Sequence, residues 1–257
     1  MTLGQLPPAS PPATCGAIDT DWIQPTVTSG TSYVVPGTGT ITSWSHWATT
    51  GTGQMVVMKV FRKVTDPSFY EVVAHDGPHP LTQSVLNSFL VNITVKAGDV
   101  LGLNGTDAAN VACGFSAPGN SNLFRVGNLA DGQSDAFTPV ATDRLLNISA
   151  VFSPANGFTL GKVKRNTNKG TATLTAEVPN PGELTASGNG VKAAGAAVTS
   201  RAVPAPGTVQ LTIRAKGKKK RKLNETGKVT LTPAITYTPT GGDASTQSRK
   251  VKLQKRS

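Results

Sequence analysis

Apolar and polar residues alternate with a period of two along most of this chain, which places successive side chains on opposite faces of a β-strand. The clearest case is the segment 86–96, whose even-numbered positions are the more polar and whose other face carries Asn87, Phe89, Val91, Ile93 and Val95. The segment 54–62 is apolar on both faces, as expected of a central strand. Further strands are predicted at 69–75, 100–103 and 144–152.

The second half of the chain repeats this alternation in the segments 170–178, 207–215 and 227–237. In the first of these the inward positions are Ala172, Leu174, Ala176 and Val178. A hairpin turn at 241–243 and a last edge strand at 249–253 follow. No stretch of ten or more residues shows the 3.6-residue period of an amphipathic helix. The pattern therefore predicts an all-β protein.

Length and composition divide this all-β chain into parts. Its 257 residues are enough for two domains, and they include 27 glycines and 18 prolines, which punctuate strands. Residues 1–18 are proline-rich and are predicted to be a disordered lead-in. Residues 19–153 are predicted to form a jelly-roll-like β-sandwich. Residues 154–257, which begin with the turn cluster 154–157, are predicted to form a basic immunoglobulin-like β-sandwich.

The two predicted domains differ sharply in charge. Residues 1–153 hold 6 Lys and Arg against 10 Asp and Glu, a net charge of −4, whereas residues 154–257 hold 19 against 4, a net charge of +15. The densest cluster lies between two predicted strands and is expected to be an exposed hairpin tip; its cations are Lys216, Lys218, Lys219, Lys220, Arg221 and Lys222. We interpret it as a contact for an anionic cell-envelope polymer, with a solvated loop, a nucleic acid or a membrane surface as the alternatives.

Aromatic residues are distributed unevenly between the two halves. Sequence-specific nucleic-acid recognition is not expected, because it usually needs aromatic rings for stacking, and the basic half holds only Phe158 and the inward-facing Tyr237. In the first half, exposed aromatic rings could stack on sugar rings, and the candidate ligand-binding residues are Trp22, Trp44, His46 and Trp47. The alternative is that at least two of the three tryptophans belong to the core.

Cysteine content and terminal sequence bear on location. A disulfide between Cys15 and Cys113 would indicate an oxidising compartment, and two unrelated buried thiols are the alternative. No run of 18 apolar residues is present, so no transmembrane segment is predicted. The first residues lack the basic and apolar regions of an export signal. We expect a secreted or cell-surface protein from which that signal has been removed.

Motifs for catalysis, metals and cofactors are missing from the sequence. There is no nucleophile elbow, zinc-protease motif or phosphate-binding loop, so we expect no enzyme activity, no catalytic residue, no cofactor and no metal. One metal alternative is zinc at His75 and His79, with His46, Asp76 or Glu71 as the third ligand that it would need. The other is calcium at Asp131 and Asp135, with Asp107 and Asp143, although these residues do not match the EF-hand spacing. A secreted hydrolase using His46, His75 and Asp76 is the rival hypothesis for the first domain.

The second half resembles a basic immunoglobulin-like module of secreted proteins from soil actinobacteria. The segments that carry the resemblance are FTLGKVKR at 158–165, KGTATLT at 169–175, PNPGELT at 179–185, SGNGVK at 187–192, KGKKKRKL at 216–223 and YTPTGG at 237–242. The first half is similar to secreted jelly-roll modules through VVPGTGTITSW at 34–44 and VKAGDVLGL at 95–103. These resemblances imply extracellular domains of an exported protein, and they imply no activity.

The leading hypothesis from the sequence is a non-enzymatic secreted or cell-surface protein. Its first domain would bind a glycan or a protein surface. Its second domain would act as a spacer and attach electrostatically to anionic envelope polymers. A purely structural component of a surface layer or appendage is a further hypothesis.

Overall fold

A computed structural model of the chain describes residues 1–12, 15, 19–64, 68–105, 110–192, 201–203 and 205–256. These residues form twenty strands and one short helix, so the predicted all-β class is confirmed. The chain divides into two compact units, Met1–Ser153 (unit 1) and Pro154–Ser257 (unit 2), and the division falls where the net charge changes sign. The finer designations, a jelly roll followed by an immunoglobulin-like fold, stay predictions.

Unit 1 contains two antiparallel sheets. Its strands are β1 (Thr2–Gln5), β2 (Thr20–Ile23), β3 (Gly39–Trp47), β4 (Met55–Lys63), β5 (Phe69–Pro80), β6 (Leu86–Val95), β7 (Val100–Gly105), β8 (Gly114–Val126), β9 (Ser134–Ala136), β10 (Thr138–Leu146) and β11 (Ile148–Pro154). A four-stranded sheet has the order β1-β11-β3-β6, and a seven-stranded sheet has the order β10-β8-β2-β7-β4-β5-β9.

The strands of unit 1 follow from the period-two pattern. β4 lies between β5 and β7 and is buried along most of its length, which explains why both of its faces are apolar. β6 is an edge strand, with Ile93 and Val95 buried and Leu90 on the opposite, solvent-facing side. The largest hydrophobic cluster of the unit includes residues of both sheets, among them Trp44 and Met58.

Two predictions for unit 1 are wrong in part. Residues 2–5 are not disordered, because they form β1 and pair antiparallel with residues 148–151 of β11; residues 13–14 and 16–18 of the predicted lead-in lie outside the described residues. The segment 144–152 is not one strand, because it divides at Asn147 into β10 and β11. The Asn147 amide accepts from the Trp47 N–H and donates to the carbonyls of Trp47 and Ala112, so its side chain bonds two other segments at this break.

Unit 2 is built from three small sheets and the helix. Its elements are β12 (Thr159–Asn166), β13 (Thr171–Val178), β14 (Gly182–Ser187), β15 (Arg201–Val203), β16 (Gly207–Ile213), α1 (Gly217–Thr226), β17 (Lys228–Leu231), β18 (Ala234–Pro239), β19 (Ser245–Ser248) and β20 (Val251–Gln254). The sheet orders are β12-β13-β16, β15-β14-β18-β19 and β17-β20. The four inward residues predicted for β13 are buried. The predicted strand 227–237 is instead two strands, separated at Thr232 and Pro233, since proline cannot donate to a strand ladder.

A disulfide joins Cys15 to Cys113 in the core of unit 1, which confirms the pairing predicted from the sequence. Cys113 directly precedes β8, and both cysteines are buried. The bond closes a loop with a sequence separation of 98 residues. It therefore restricts most of the chain of unit 1 in the unfolded state.

Replacing both cysteines by alanine is expected to lower the free energy of unfolding of unit 1 by about 4–5 kcal/mol. The reason is that the unfolded chain, no longer closed into a loop, gains conformational entropy. Urea unfolding of the full chain followed by tryptophan fluorescence measures this, since all three tryptophans lie in unit 1. The unfolding of unit 2, followed by hydrogen exchange of its amides, serves as the internal control. An unchanged fluorescence midpoint would show that the disulfide contributes nothing.

Candidate functional site

The structure places three of the four predicted ligand-binding residues in the core of unit 1. Trp22, Trp44 and His46 are buried, and Trp47 is half-buried. Trp44 and His46 share the inward face of β3, while Trp47 lies on the opposite face. The prediction of a ligand-binding set is therefore wrong for the three buried residues, and the alternative that two tryptophans are core residues is confirmed.

Trp44 is held in a hydrogen-bonded aromatic cluster that joins the two sheets. Its Nε1 donates to Asp76 Oδ2 at 2.7 Å, and His79 Nε2 lies 2.9 Å from the same oxygen. The His79 ring stacks on Phe89 with 4.2 Å between ring centroids, and Phe89 packs against Trp44 at 4.7 Å. The indole N–H, which a sugar ligand would otherwise use, is thus bonded within the fold.

His46 is a buried imidazole that stays neutral at physiological pH. Its Nε2 accepts a hydrogen bond from Asn147 Nδ2 at 3.4 Å, and its Nδ1 has no partner among the described residues. Burial lowers the pKa of His46 from 6.5 to about 4, because desolvation disfavours the charged imidazolium. The residue is therefore a core residue with a pH-dependent contribution to stability.

The polar residues of the hydrolase hypothesis are not brought together. His75 forms an exposed pair with Asp131, with 2.7 Å between Nδ1 and Oδ1. Asp76 bonds instead to Trp44, and His46 lies in the core. A cleft of about 230 Å³ beside His75 includes neither Asp76 nor His46 in its lining. Within the described part of the chain, no three His, Cys, Asp or Glu side chains form a group that could hold a metal ion.

The basic run of unit 2 forms a helix and not the predicted hairpin tip. Leu223 is the buried anchor of α1, and Lys219 is half-buried with its stem beside Gly190. The remaining predicted contact residues are exposed, namely Lys216 at the N-cap and Lys218, Lys220, Arg221 and Lys222 in the helix. Because Leu223 is the single buried apolar residue of α1, the segment shows no repeated apolar position at the 3.6-residue period of a helix. The hydrophobic pattern therefore did not predict α1.

The charged side chains of α1 lower the stability of the helix. Lys218 and Lys219 lie in the first turn, near the positive end of the helix dipole, and no acidic residue offsets them there. A pair of like charges at positions i and i+4, such as Lys218 and Lys222, reduces helix stability by about 0.2–0.5 kcal/mol. The helix is held by Leu223 and by its left-handed C-cap, Gly227, with φ of 65°. A bound anion would relieve this repulsion.

A second group of cations lines an open cleft on the solvent-facing side of the β12-β13-β16 sheet. The cleft has a volume of about 760 Å³, and its cations are Lys162, Lys164, Arg165 and Arg256. The helix reaches the same end of unit 2, since Leu223 lies beside Gly170 and Lys255 Nζ donates to Asn224 Oδ1 at 2.9 Å. We call the exposed cations of α1 together with those of the cleft the basic surface.

Cations of the basic surface are not neutralised by neighbouring acids. The lysines and arginine of α1 form no salt bridge with any described residue, whereas Lys59, Arg62 and Arg125 of unit 1 are all paired with aspartates. Unit 2 holds only four acidic residues in its sequence. Ammonium groups on long, flexible stems suit anionic ligands of varied geometry.

Sequence reasoning missed a third surface, the solvent-facing side of the four-stranded sheet, which we call the neutral face. None of its strands β1, β3, β6 and β11 contains an Asp, Glu, Lys or Arg. The sequence does contain a signal for this face. No Asp, Glu, Lys or Arg occurs between Asp21 and Lys59 or between Asp76 and Lys96. The alternation of apolar and polar positions does not distinguish charged residues from uncharged polar ones, so it gave no indication of this face.

Comparison of the chain with protein-family models, with curated proteins and with solved structures finds no match. Function is therefore inferred from the basic surface, from the neutral face and from the burial of the aromatic residues. Of these, the basic surface has the most definite ligand chemistry.

Acidification from pH 7 to about pH 4.5 is expected to destabilise unit 1 through His46. The unfolded imidazole binds a proton near pH 6.5 and the folded one only near pH 4, so the contribution is complete above pH 6.5 and is lost as the pH falls towards 4. The loss of unfolding free energy between these two pH values is expected to be about 2 kcal/mol. Urea unfolding followed by tryptophan fluorescence at both pH values measures it.

A His46→Gln variant should lose distinctly less stability over this pH range than the wild type. Thr94→Gln, a substitution without an ionisable group at an exposed position of β6, is the control and should keep the wild-type pH dependence. Equal losses in the wild type and in His46→Gln would contradict the account.

Proposed function

We propose that this chain is a non-enzymatic extracellular protein that attaches to anionic cell-envelope polymers through the basic surface of unit 2. The observation that carries the proposal is the set of exposed, unpaired cations on α1, continued by the cations of the cleft. Contacts of this kind are mainly Coulombic, so they are sensitive to salt and tolerant of the detailed structure of the polymer.

A helix supports an anionic partner better than the hairpin tip expected from the sequence. The backbone of α1 holds its cations at fixed spacing, so less conformational freedom is lost on binding than in a mobile loop. The like charges of Lys218 and Lys222 repel each other in the free helix, and a polyanion removes that cost. Binding and helix stability are therefore coupled.

The aromatic residues of unit 2 favour a polymer without bases. Phe158 and Tyr237 are both buried, and the Tyr237 hydroxyl donates to the Asn180 carbonyl at 2.7 Å. They are the only aromatic residues in the sequence of this unit, so no ring is available for stacking on bases. Phosphate or carboxylate groups along a polymer are sufficient ligands for the basic surface.

The Cys15–Cys113 disulfide supports an extracellular location, because disulfides persist in oxidising compartments. In the described part of the chain, no helix has the length and apolar composition needed to cross a membrane.

A structural component of a surface layer or appendage is a second candidate function. Burial of Trp22 and Trp44 favours it, because these rings stabilise the fold of unit 1 and are not available to a ligand. Binding of a glycan or protein by unit 1 remains a proposal in which Trp47 is the available aromatic residue. The dispersal of His46, His75 and Asp76 gives the hydrolase hypothesis no support.

Binding of the full chain to inorganic polyphosphate is expected to weaken steeply as NaCl rises from about 20 to about 300 mM. A Lys220→Gln/Lys222→Gln variant should flatten the slope of log K against log salt by about 1.5, since each lost phosphate contact removes roughly 0.7–0.9. Isothermal titration calorimetry at several salt concentrations measures both effects. Circular dichroism checks that α1 remains folded.

The matched control is Lys63→Gln/Lys96→Gln, which removes the same net charge from exposed positions of unit 1. It should leave the slope unchanged. Absent or salt-independent binding, or an equal loss in the control, would overturn the proposal. Single-stranded DNA bound more tightly than polyphosphate of equal charge would favour the nucleic-acid alternative.

A further inference from the structure

The neutral face combines an absence of charge with exposed apolar side chains. On β6, Leu90 is 90% exposed and Leu86 is 46% exposed, and Val151 of β11 is also exposed. In the strand register Leu86 lies opposite Trp47, and Leu90 lies opposite Ser43 of β3. Leu90 is the most exposed large hydrophobic side chain among the described residues, and an uncharged sheet face with three such side chains is a candidate interaction surface.

Three hydroxyl groups of the neutral face are already engaged within their own sheet. The hydroxyl groups of Ser45 and Ser88 lie 2.8 Å apart across β3 and β6. Thr42 Oγ1 donates to the Val151 carbonyl at 3.4 Å. Hydroxyl groups with partners lose little when water is removed, so the cost of covering this face is low.

β6 is an edge strand without the usual protection against association. It pairs with β3 alone among the described strands, and its ten residues include no charged residue and no proline. The edge strand β12 of unit 2 is different, because it carries Lys162, Lys164 and Arg165. Charged residues of this kind keep neighbouring chains apart, and their absence leaves β6 open to contact with a second chain.

We propose that two copies of this chain pack their neutral faces together, with Leu86 and Leu90 contributing the exposed apolar side chains of β6 to the interface. The four strands have 4, 7, 9 and 10 residues. At about 3.3 Å per residue and about 4.8 Å between strands, they cover about 500 Å² of flat sheet per copy. The two faces together give about 1,000 Å² of buried area, which is the lower limit expected of a biological interface. Side chains that project from the flat sheet add further area.

The absence of charge on the neutral face allows a second copy to be its occupant. Unit 2 carries a net charge of +15 and unit 1 a net charge of −4, so two copies that meet through equivalent charged surfaces repel each other. At the neutral face they meet without opposed charges. A two-fold axis requires a self-complementary patch, and one built of apolar and hydroxyl side chains meets that requirement.

A neutral glycan is a poorer fit to this face. Sugar recognition relies on aromatic ring faces and free hydrogen-bonding groups. On β3 and β6 the neutral face offers Trp47, which is only half-exposed, and the Ser45 and Ser88 hydroxyl groups are bonded to each other. The proposal does not depend on attachment of unit 2 to a polymer.

Light scattering coupled to size-exclusion chromatography, with sedimentation velocity, measures the mass of the full chain. We expect the mass to rise from 26.5 kDa towards twice that value with increasing protein concentration. A range of about 1 to 200 μM is suitable, because small interfaces bind weakly. Salt at about 150 mM screens the repulsion between the basic units.

Leu90→Lys places an unpaired charge from each copy in the interface and should raise the dimer dissociation constant more than tenfold. Ser88→Glu, a second exposed position of the neutral face, should act in the same direction. The matched control is Val126→Lys, which adds the same charge at a 63% exposed valine of β8 in the seven-stranded sheet. It should leave the dimer intact.

Three results would overturn the proposal. The first is a wild-type chain that stays monomeric over the whole concentration range, as expected if a glycan, another protein or no partner covers the face. The second is a dimer that survives both Leu90→Lys and Ser88→Glu, which would place the interface elsewhere. The third is a dimer that Val126→Lys disrupts equally, which would indicate a general effect of charge.

Discussion

A charged side chain in a β-sandwich must either face water or meet a partner of opposite charge, and this constraint shapes every surface of the chain. Unit 1 satisfies it partly by pairing, as at the Arg62–Asp99 and Arg125–Asp135 contacts, and partly by exposure, as at Lys63 and Lys96. Unit 2 satisfies it by exposure, with cations on α1 and on the edge strand β12. The neutral face has no charge to satisfy. Apolar contact and electrostatic attachment are therefore possible on separate surfaces.

The buried ion pair of Lys59 and Asp21 shows how many hydrogen bonds accompany a charge pair in the core. Lys59 Nζ donates to Asp21 Oδ1 at 2.6 Å and to Asn128 Oδ1 and the Leu129 carbonyl, each at 2.7 Å. Asp21 also accepts from Asn104 Nδ2 and from the Leu129 N–H. Burial lowers the pKa of Lys59, and the Asp21 carboxylate opposes that change. These bonds connect β2, β4 and β7 to the segment after β8, so a fully bonded charge pair organises the seven-stranded sheet.

Strands with two unlike faces, such as β6 and β13, could be predicted from the sequence, because alternation encodes burial directly. The break at Asn147 could not, since it depends on hydrogen bonds with Trp47, a hundred residues away. α1 escaped notice because Leu223 is its single apolar anchor, although lysine and arginine are good helix formers. Residue type alone suggested that His46 faces a ligand, whereas its position two residues from Trp44 on β3 places it in the core.

Hydrogen exchange of the full chain with and without polyphosphate tests most directly the claim that unit 2 is the attachment unit. Neutralising the repulsion within α1 stabilises its hydrogen bonds, so polyphosphate should slow amide exchange in 217–226 and around the cleft at 162–168. Exchange in β6 of unit 1 should not change. Slower exchange confined to unit 1, with α1 unaffected, would contradict the account.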